Sequence, residues 1–117
     1  MESDENSRKK ALQVKLARAF PDASLRQAAT AVLERYGTEK YESETDRVRL
    51  AVLKLSGDRP DLKDLSRLVQ SAKEDYRDII AWAEYPRQIK HGSVKDSEER
   101  RRLAEADRDE YQTWLRN

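Results

Sequence analysis

The stretch that decides the fold runs from Leu62 to Pro86, LKDLSRLVQSAKEDYRDIIAWAEYP. Within it Leu62, Leu65, Leu68, Val69, Ala72, Tyr76, Ile79, Ile80 and Ala83 recur at steps of three and four. At about 100° per residue this spacing draws one apolar stripe along a helix. The periodicity predicts one long fourth helix, capped by Asp61 and stopped near Tyr85 because Pro86 follows. A second row, Asp75, Asp78, Trp82 and Tyr85, runs beside the stripe, with Arg87 just past its end.

Upstream, three shorter helices are legible. Ser7 can cap a first one to about Ala19, with Leu12, Leu16, Ala19 and Phe20 on one face and Pro21 as its stop. Asp22 or Ser24 can cap a second, in which Leu25, Ala28, Ala29, Val32, Leu33 and Tyr36 recur at helical spacing before Gly37. A third, about Ser43 to Ser56, carries Val48, Ala51, Val52 and Leu55 on one face and Leu50 and Leu53 on the other. A helix apolar on both sides belongs in the middle of a fold, so this one is expected to be the most buried.

Downstream the pattern thins. Residues 87–96 hold Gly92 and no core spacing and read as a linker. Asp96 or Ser97 then starts a fifth, strongly charged helix with a weaker apolar face of Leu103, Tyr111, Trp114 and Leu115. That helix either docks on the bundle or projects from it, in which case exchange within a homodimer would hide Trp114 and Leu115. Glu98 and Arg102 are spaced for an i,i+4 pair. The expectation is an all-α protein: residues 1–6 a disordered tail, 7–86 a compact irregular bundle of four core helices, and 97–117 a C-terminal helix, all in one domain.

The 117 residues suit a single core. Charged residues make up 40% of them, but 24 basic and 23 acidic side chains nearly cancel. No global basic field exists to draw in nucleic acid or an anionic membrane. With no cysteine there is no disulfide, thiolate metal site or thiol nucleophile. The polar opening and the shortness of the Val48 to Leu55 apolar run predict a cytoplasmic protein that does not enter a membrane.

Catalytic signatures are absent. The single histidine, His91, has no companions for a zinc site and reads as a solvated loop residue. No Gly-x-Ser-x-Gly turn, Walker lysine motif or dinucleotide fingerprint occurs. Glu74, Asp75 and Asp78 lack the Glu-x-x-His spacing of carboxylate-bridged metal bundles and read as a charged face. No cofactor and no metal is expected.

Two readings of the second row remain. Trp82 and Tyr85 seal the bundle edge against the first or fifth helix, or Asp75, Asp78, Trp82, Tyr85 and Arg87 form a patch for a protein partner. Basic residues also cluster at Arg8, Lys9 and Lys10 and at Arg100, Arg101 and Arg102, each flanked by acids. The leading expectation is a non-enzymatic protein-interaction module, as monomer or homodimer. The alternatives are a nucleic-acid accessory protein using the two basic clusters, and an enzyme with an unrecognised carboxylate site around Asp75 and Asp78.

Asp75-Tyr76-Arg77-Asp78 with Ala81-Trp82-Ala83-Glu84-Tyr85-Pro86, and the earlier Leu16-Ala17-Arg18-Ala19-Phe20-Pro21, resemble segments of a family of small bacterial helical proteins without assigned activity. The resemblance spans about residues 12–89. It implies a bacterial cytosolic protein and brings no cofactor or catalytic residue.

Overall fold

A computed structural model describes residues 4–92 and 95–117. Among them are seven helices and no strand: α1 (Asp4–Ala19), α2 (Ala23–Leu33), α3 (Thr45–Ser56), α4 (Leu62–Glu74), α5 (Tyr76–Glu84), α6 (Pro86–His91) and α7 (Ser97–Arg116). The all-α bundle expected from the periodicity is the observed fold. Its Cα radius of gyration is 14.8 Å and its long axis 49 Å, so it is more extended than a sphere of this length, for which roughly 13 Å is typical.

The centre is α3, packed against α1, α4 and α5. Val48, Leu50, Ala51, Val52 and Leu53 are all buried, which places five consecutive or near-consecutive positions in the core and leaves the helix little wet surface. Around it close Leu12, Leu16 and Phe20 from α1, Leu65, Val69 and Ala72 from α4, and Ile79, Ile80 and Ala83 from α5. α2 lies on α4 and contributes Ala29, Val32 and Leu33.

The long fourth helix is two helices. Asp75 sits at φ −155°, ψ 98°, outside helical space, and its side chain accepts the Arg77 N–H at 3.1 Å. Aspartate is a strong N-cap, and here it starts a new helix inside an unbroken apolar repeat. The repeat hides the break because both halves present the same stripe to the core. The reading of 87–96 as linker also needs correction. Pro86 ends α5 by pushing Tyr85 to φ −129°, ψ 46°, and then serves as the first residue of α6. Proline lacks only an N–H that a first turn leaves unpaired, so one residue closes a helix and opens the next. Ser93 and Val94, also in that predicted linker, lie outside the described residues. At the other end Asp4–Asn6 belong to α1 rather than to a tail, and residues 1–3 lie outside the described residues.

α7 docks on its own chain. Trp114 and Leu115 pack against the core, and the Lys15 ammonium stands 4.6 Å from the centroid of a Trp114 ring. The premise for hiding those two residues by helix exchange therefore falls away. In the exposed first turns Arg102 meets Glu99 at 3.7 Å, an i,i+3 pair in place of the expected one with Glu98.

The connection from α2 to α3 is built on a buried carboxylate. Gly37, at φ 105°, turns the chain where an added Cβ would lie 2.7 Å from Thr45 Cγ2. The backbone N–H groups of Gly37, Thr38 and Glu39 then converge on Glu42 Oε1 at 3.0, 3.0 and 3.1 Å. The Lys73 ammonium meets Glu42 Oε2 at 2.7 Å, off the line of a good hydrogen bond but at full ion-pair contact. The Tyr36 hydroxyl donates to the Ser43 carbonyl at 2.7 Å, and Arg49 of α3 donates to the carbonyls of Leu33 and Tyr36 at the end of α2. Burial pushes the Glu42 carboxyl up, but the Lys73 charge and the three N–H groups outweigh it and hold it down to about 2. A carboxylate whose folded pKa lies below its unfolded value stabilises the fold above the unfolded value and loses that effect as the pH falls through the folded one. Stability is therefore expected to drop between about pH 4.5 and pH 2. Glu42→Gln should cost about 2–3 kcal/mol at neutral pH and flatten that acid limb, as read by urea denaturation at several pH values.

Candidate functional site

The end of α5 is held by one guanidinium. Arg47, in the first turn of α3, grips Glu84 in a fork: Nε to Oε2 at 2.7 Å and Nη2 to Oε1 at 2.8 Å. The same Nη2 donates to the Tyr85 hydroxyl at 2.6 Å, and Nη1 reaches Glu44 Oε2 at 3.3 Å. The Glu84 hydrogen bonds raise the Arg47 pKa against the opposing effect of burial. Lys54 of α3 donates to the Ala83 carbonyl at 2.8 Å and to Glu110 of α7 at 3.3 Å. Arg47 and Lys54 of α3 thus fix where the α5–α6 elbow points.

That elbow carries most of the second row on its outer face. Trp82 is 48% exposed and Tyr85 36%, and Tyr85 also faces Arg8 of α1 and Tyr111 and Leu115 of α7 across a cleft behind the elbow. Asp78 is exposed one turn earlier. Ile89 of α6 is 42% exposed, and its N–H donates to the Tyr85 carbonyl at 3.1 Å as the opening bond of that helix. Asp78 and Trp82 are one turn apart on α5, Tyr85 stands at the break, and Ile89 follows on α6. Asp75 and Arg87 make other contacts. The Asp75 carboxylate is taken up by the Arg77 N–H and Nε at 3.1 and 3.2 Å, and these contacts with Arg77 hold its pKa below the usual range. Arg87 turns to α7, where it meets Asp107 at 3.2 Å and Glu110 at 3.6 Å.

Asp107 is the residue that the sequence reading passed over. It is 1% exposed and accepts four hydrogen bonds. Oδ1 takes the Arg87 N–H and Nη1, and Oδ2 the Gln88 N–H and Nε2, at 3.1–3.2 Å. Burial pushes its carboxyl up, and the donors of Gln88 and Arg87 bring it down below the ordinary value. Its task is to satisfy the open N–H groups at the start of α6 from a neighbouring helix. The signal was available: Leu103, Asp107, Tyr111 and Trp114 share one helical face, and an acid on an apolar face implies a paired partner.

Behind the elbow α1, α5 and α7 enclose a cleft of about 650 Å³ lined by Arg8, Tyr85, Arg108, Tyr111 and Leu115 among others. Its carboxylates, Glu84 and Asp107, are both already paired. Burial, and then the Glu84 charge, push the Tyr111 hydroxyl up. No side chain here is poised as a nucleophile beside a base. Among the described residues no group of three or more His, Asp or Glu stands close enough to hold a metal ion, and His91 is exposed in the last turn of α6.

The basic residues of the two clusters point to different surroundings. Arg8 lines the cleft, whereas Lys9 lines a separate hollow beside Gln13 and Thr30. Three consecutive residues on a helix fan through roughly 200°, and Arg100, Arg101 and Arg102 do so on an exposed stretch of α7. No described helix is long and apolar enough to cross a membrane.

Compared with known proteins, the chain matches no family model, no curated protein and no solved structure.

Replacing Asp107 by Ala leaves the Arg87 guanidinium and two N–H groups without their acceptor. The expected loss is about 3 kcal/mol in urea unfolding, with fast amide exchange appearing first at Arg87 and Gln88.

Proposed function

We propose that this chain is a non-enzymatic protein-interaction module and that its contact surface is the α5–α6 edge of Asp78, Trp82, Tyr85 and Ile89. One observation carries the reading: among the described residues, three of the six large apolar ones that stay exposed, Trp82, Tyr85 and Ile89, fall within one short stretch around the α5–α6 elbow. The other three, Val14, Leu25 and Tyr41, are scattered over α1, α2 and the α2–α3 connection. Exposed apolar residues are ordinary when single and informative when contiguous.

The edge is firm as well as apolar. Tyr85 offers its ring while its hydroxyl is tied to Arg47, so ordering it on binding costs little entropy. Tryptophan and tyrosine contribute large contact areas, and a free carboxylate at Asp78 gives the row a polarity. The partner that fits is a short segment, helical or extended, with apolar side chains and a basic residue at the Asp78 end. Four side chains fall well short of the ~800 Å² per partner of a standard stable interface, so the contact is a weak and reversible one. A bacterial cytosolic setting rests on the resemblance of residues 12–89 and on the lack of cysteine.

Photo-crosslinking separates this edge from the rest of the surface. A benzophenone side chain at position 82 or 89 should capture one protein species that the same group at position 14 does not. Asp78→Lys should reduce that capture about tenfold by repelling the basic residue. Trp82→Ala should abolish it while changing unfolding stability by no more than about 0.5 kcal/mol. Equal capture from positions 14 and 82 would remove the assignment.

A further inference from the structure

A second site, independent of the α5–α6 edge, lies on the opposite pairing of helices. The exposed face of α4 and the residues following α2 enclose a groove of about 590 Å³. Four of its lining residues are cations, Arg35, Lys63, Arg67 and Lys73, and none is acidic. In a chain whose net charge is only +1, this is a concentrated positive field.

Two of the four cations are fixed in place. Arg35 Nη1 donates to Ser66 Oγ at 3.2 Å, across from the turn after α2 to α4. Lys73 donates to the Arg35 carbonyl at 2.8 Å and to Thr38 Oγ1 at 3.4 Å, while its charge is balanced by Glu42 at 2.7 Å. No such balance exists for Arg35 or Lys63, which meet no carboxylate among the described residues. Arg67 pairs with Asp64 at 3.7 Å, where both side chains are well exposed to water. The groove thus gathers one anchored guanidinium and two cations on the i and i+4 positions of α4, above a floor at the buried Val69.

We infer that this groove binds a phosphate-bearing anion. A guanidinium presents paired N–H donors that match phosphoryl oxygens, and a lysine beside it adds a point charge. A monocarboxylate would offset one cation and leave the others repelling each other, whereas a polyphosphate offsets all of them. The volume lies in the range of small-ligand sites, roughly 300–1,000 Å³. Free polyphosphates and the backbone of a single-stranded nucleic acid present the same chemistry, and the experiment distinguishes them.

Sodium tripolyphosphate, titrated into the full chain at low salt and followed by NMR, should give saturable shifts at the amides of Thr38, Ser66 and Gln70. Arg35→Gln with Lys63→Gln should weaken binding about tenfold. Lys63→Gln alone, which removes no recorded internal contact, should weaken it at least about threefold. Arg100→Gln with Arg101→Gln, the same loss of charge on α7, should leave it unchanged. An oligodeoxynucleotide that displaces tripolyphosphate identifies a nucleic-acid backbone as the source, and failure to displace identifies a free polyphosphate. Absence of saturation, or equal weakening by the α7 pair and the groove pair, overturns the site.

Discussion

The constraint on which this structure depends is that α3 is apolar on two sides and both must be covered. Val48, Ala51 and Val52 point one way and Leu50 and Leu53 another, and all five are buried. A single packing partner cannot cover such a helix. Three neighbours, α1, α4 and α5, have to surround it, and the remaining helices cover those three in turn. That requirement explains the break at Asp75. A straight helix from Leu62 to Glu84 could follow α3 along one line only. Two shorter ones, redirected at Asp75, wrap it while keeping the same apolar stripe inward.

Polar groups do the complementary work of fixing helix ends. Glu42 and Asp107 are both buried carboxylates, and each is satisfied by backbone N–H groups plus one cation from another helix. The Arg47–Glu84–Tyr85 group does the same at the elbow with less burial. A buried charge is tolerable only with full pairing, so each cluster has one permitted geometry. The apolar core gathers the helices, and these clusters set their ends. On that frame the Tyr85 ring and two of the groove's cations, Arg35 and Lys73, are held in place by hydrogen bonds.

The aromatic row shows how far a helical wheel reaches. It located Asp78, Trp82 and Tyr85 because those three share an edge of one helix, a purely local relation. It also enrolled Asp75 and Arg87, which the structure assigns elsewhere: one caps α5, the other pairs with Asp107 on α7. Ile89 was missed because Pro86 looked like a stop, although proline begins a helix as readily as it ends one. The cationic groove was invisible. Arg35 and Lys63 are far apart in the chain and become neighbours only because α2 packs on α4.

The amino-acid order by itself determined the class of fold, the central place of α3 and the cap at Asp61, and it narrowed two further caps to Asp22 or Ser24 and Asp96 or Ser97, of which the aspartates accept the backbone N–H. Those properties follow from spacing along the chain and from side-chain chemistry within a turn, and both are written in the sequence. Tertiary structure alone decided whether Trp82 faced the core or water, where α7 docked, and which charges were spent in pairs. These outcomes depend on distances between residues remote in sequence, which the packing of whole helices sets and no local pattern records.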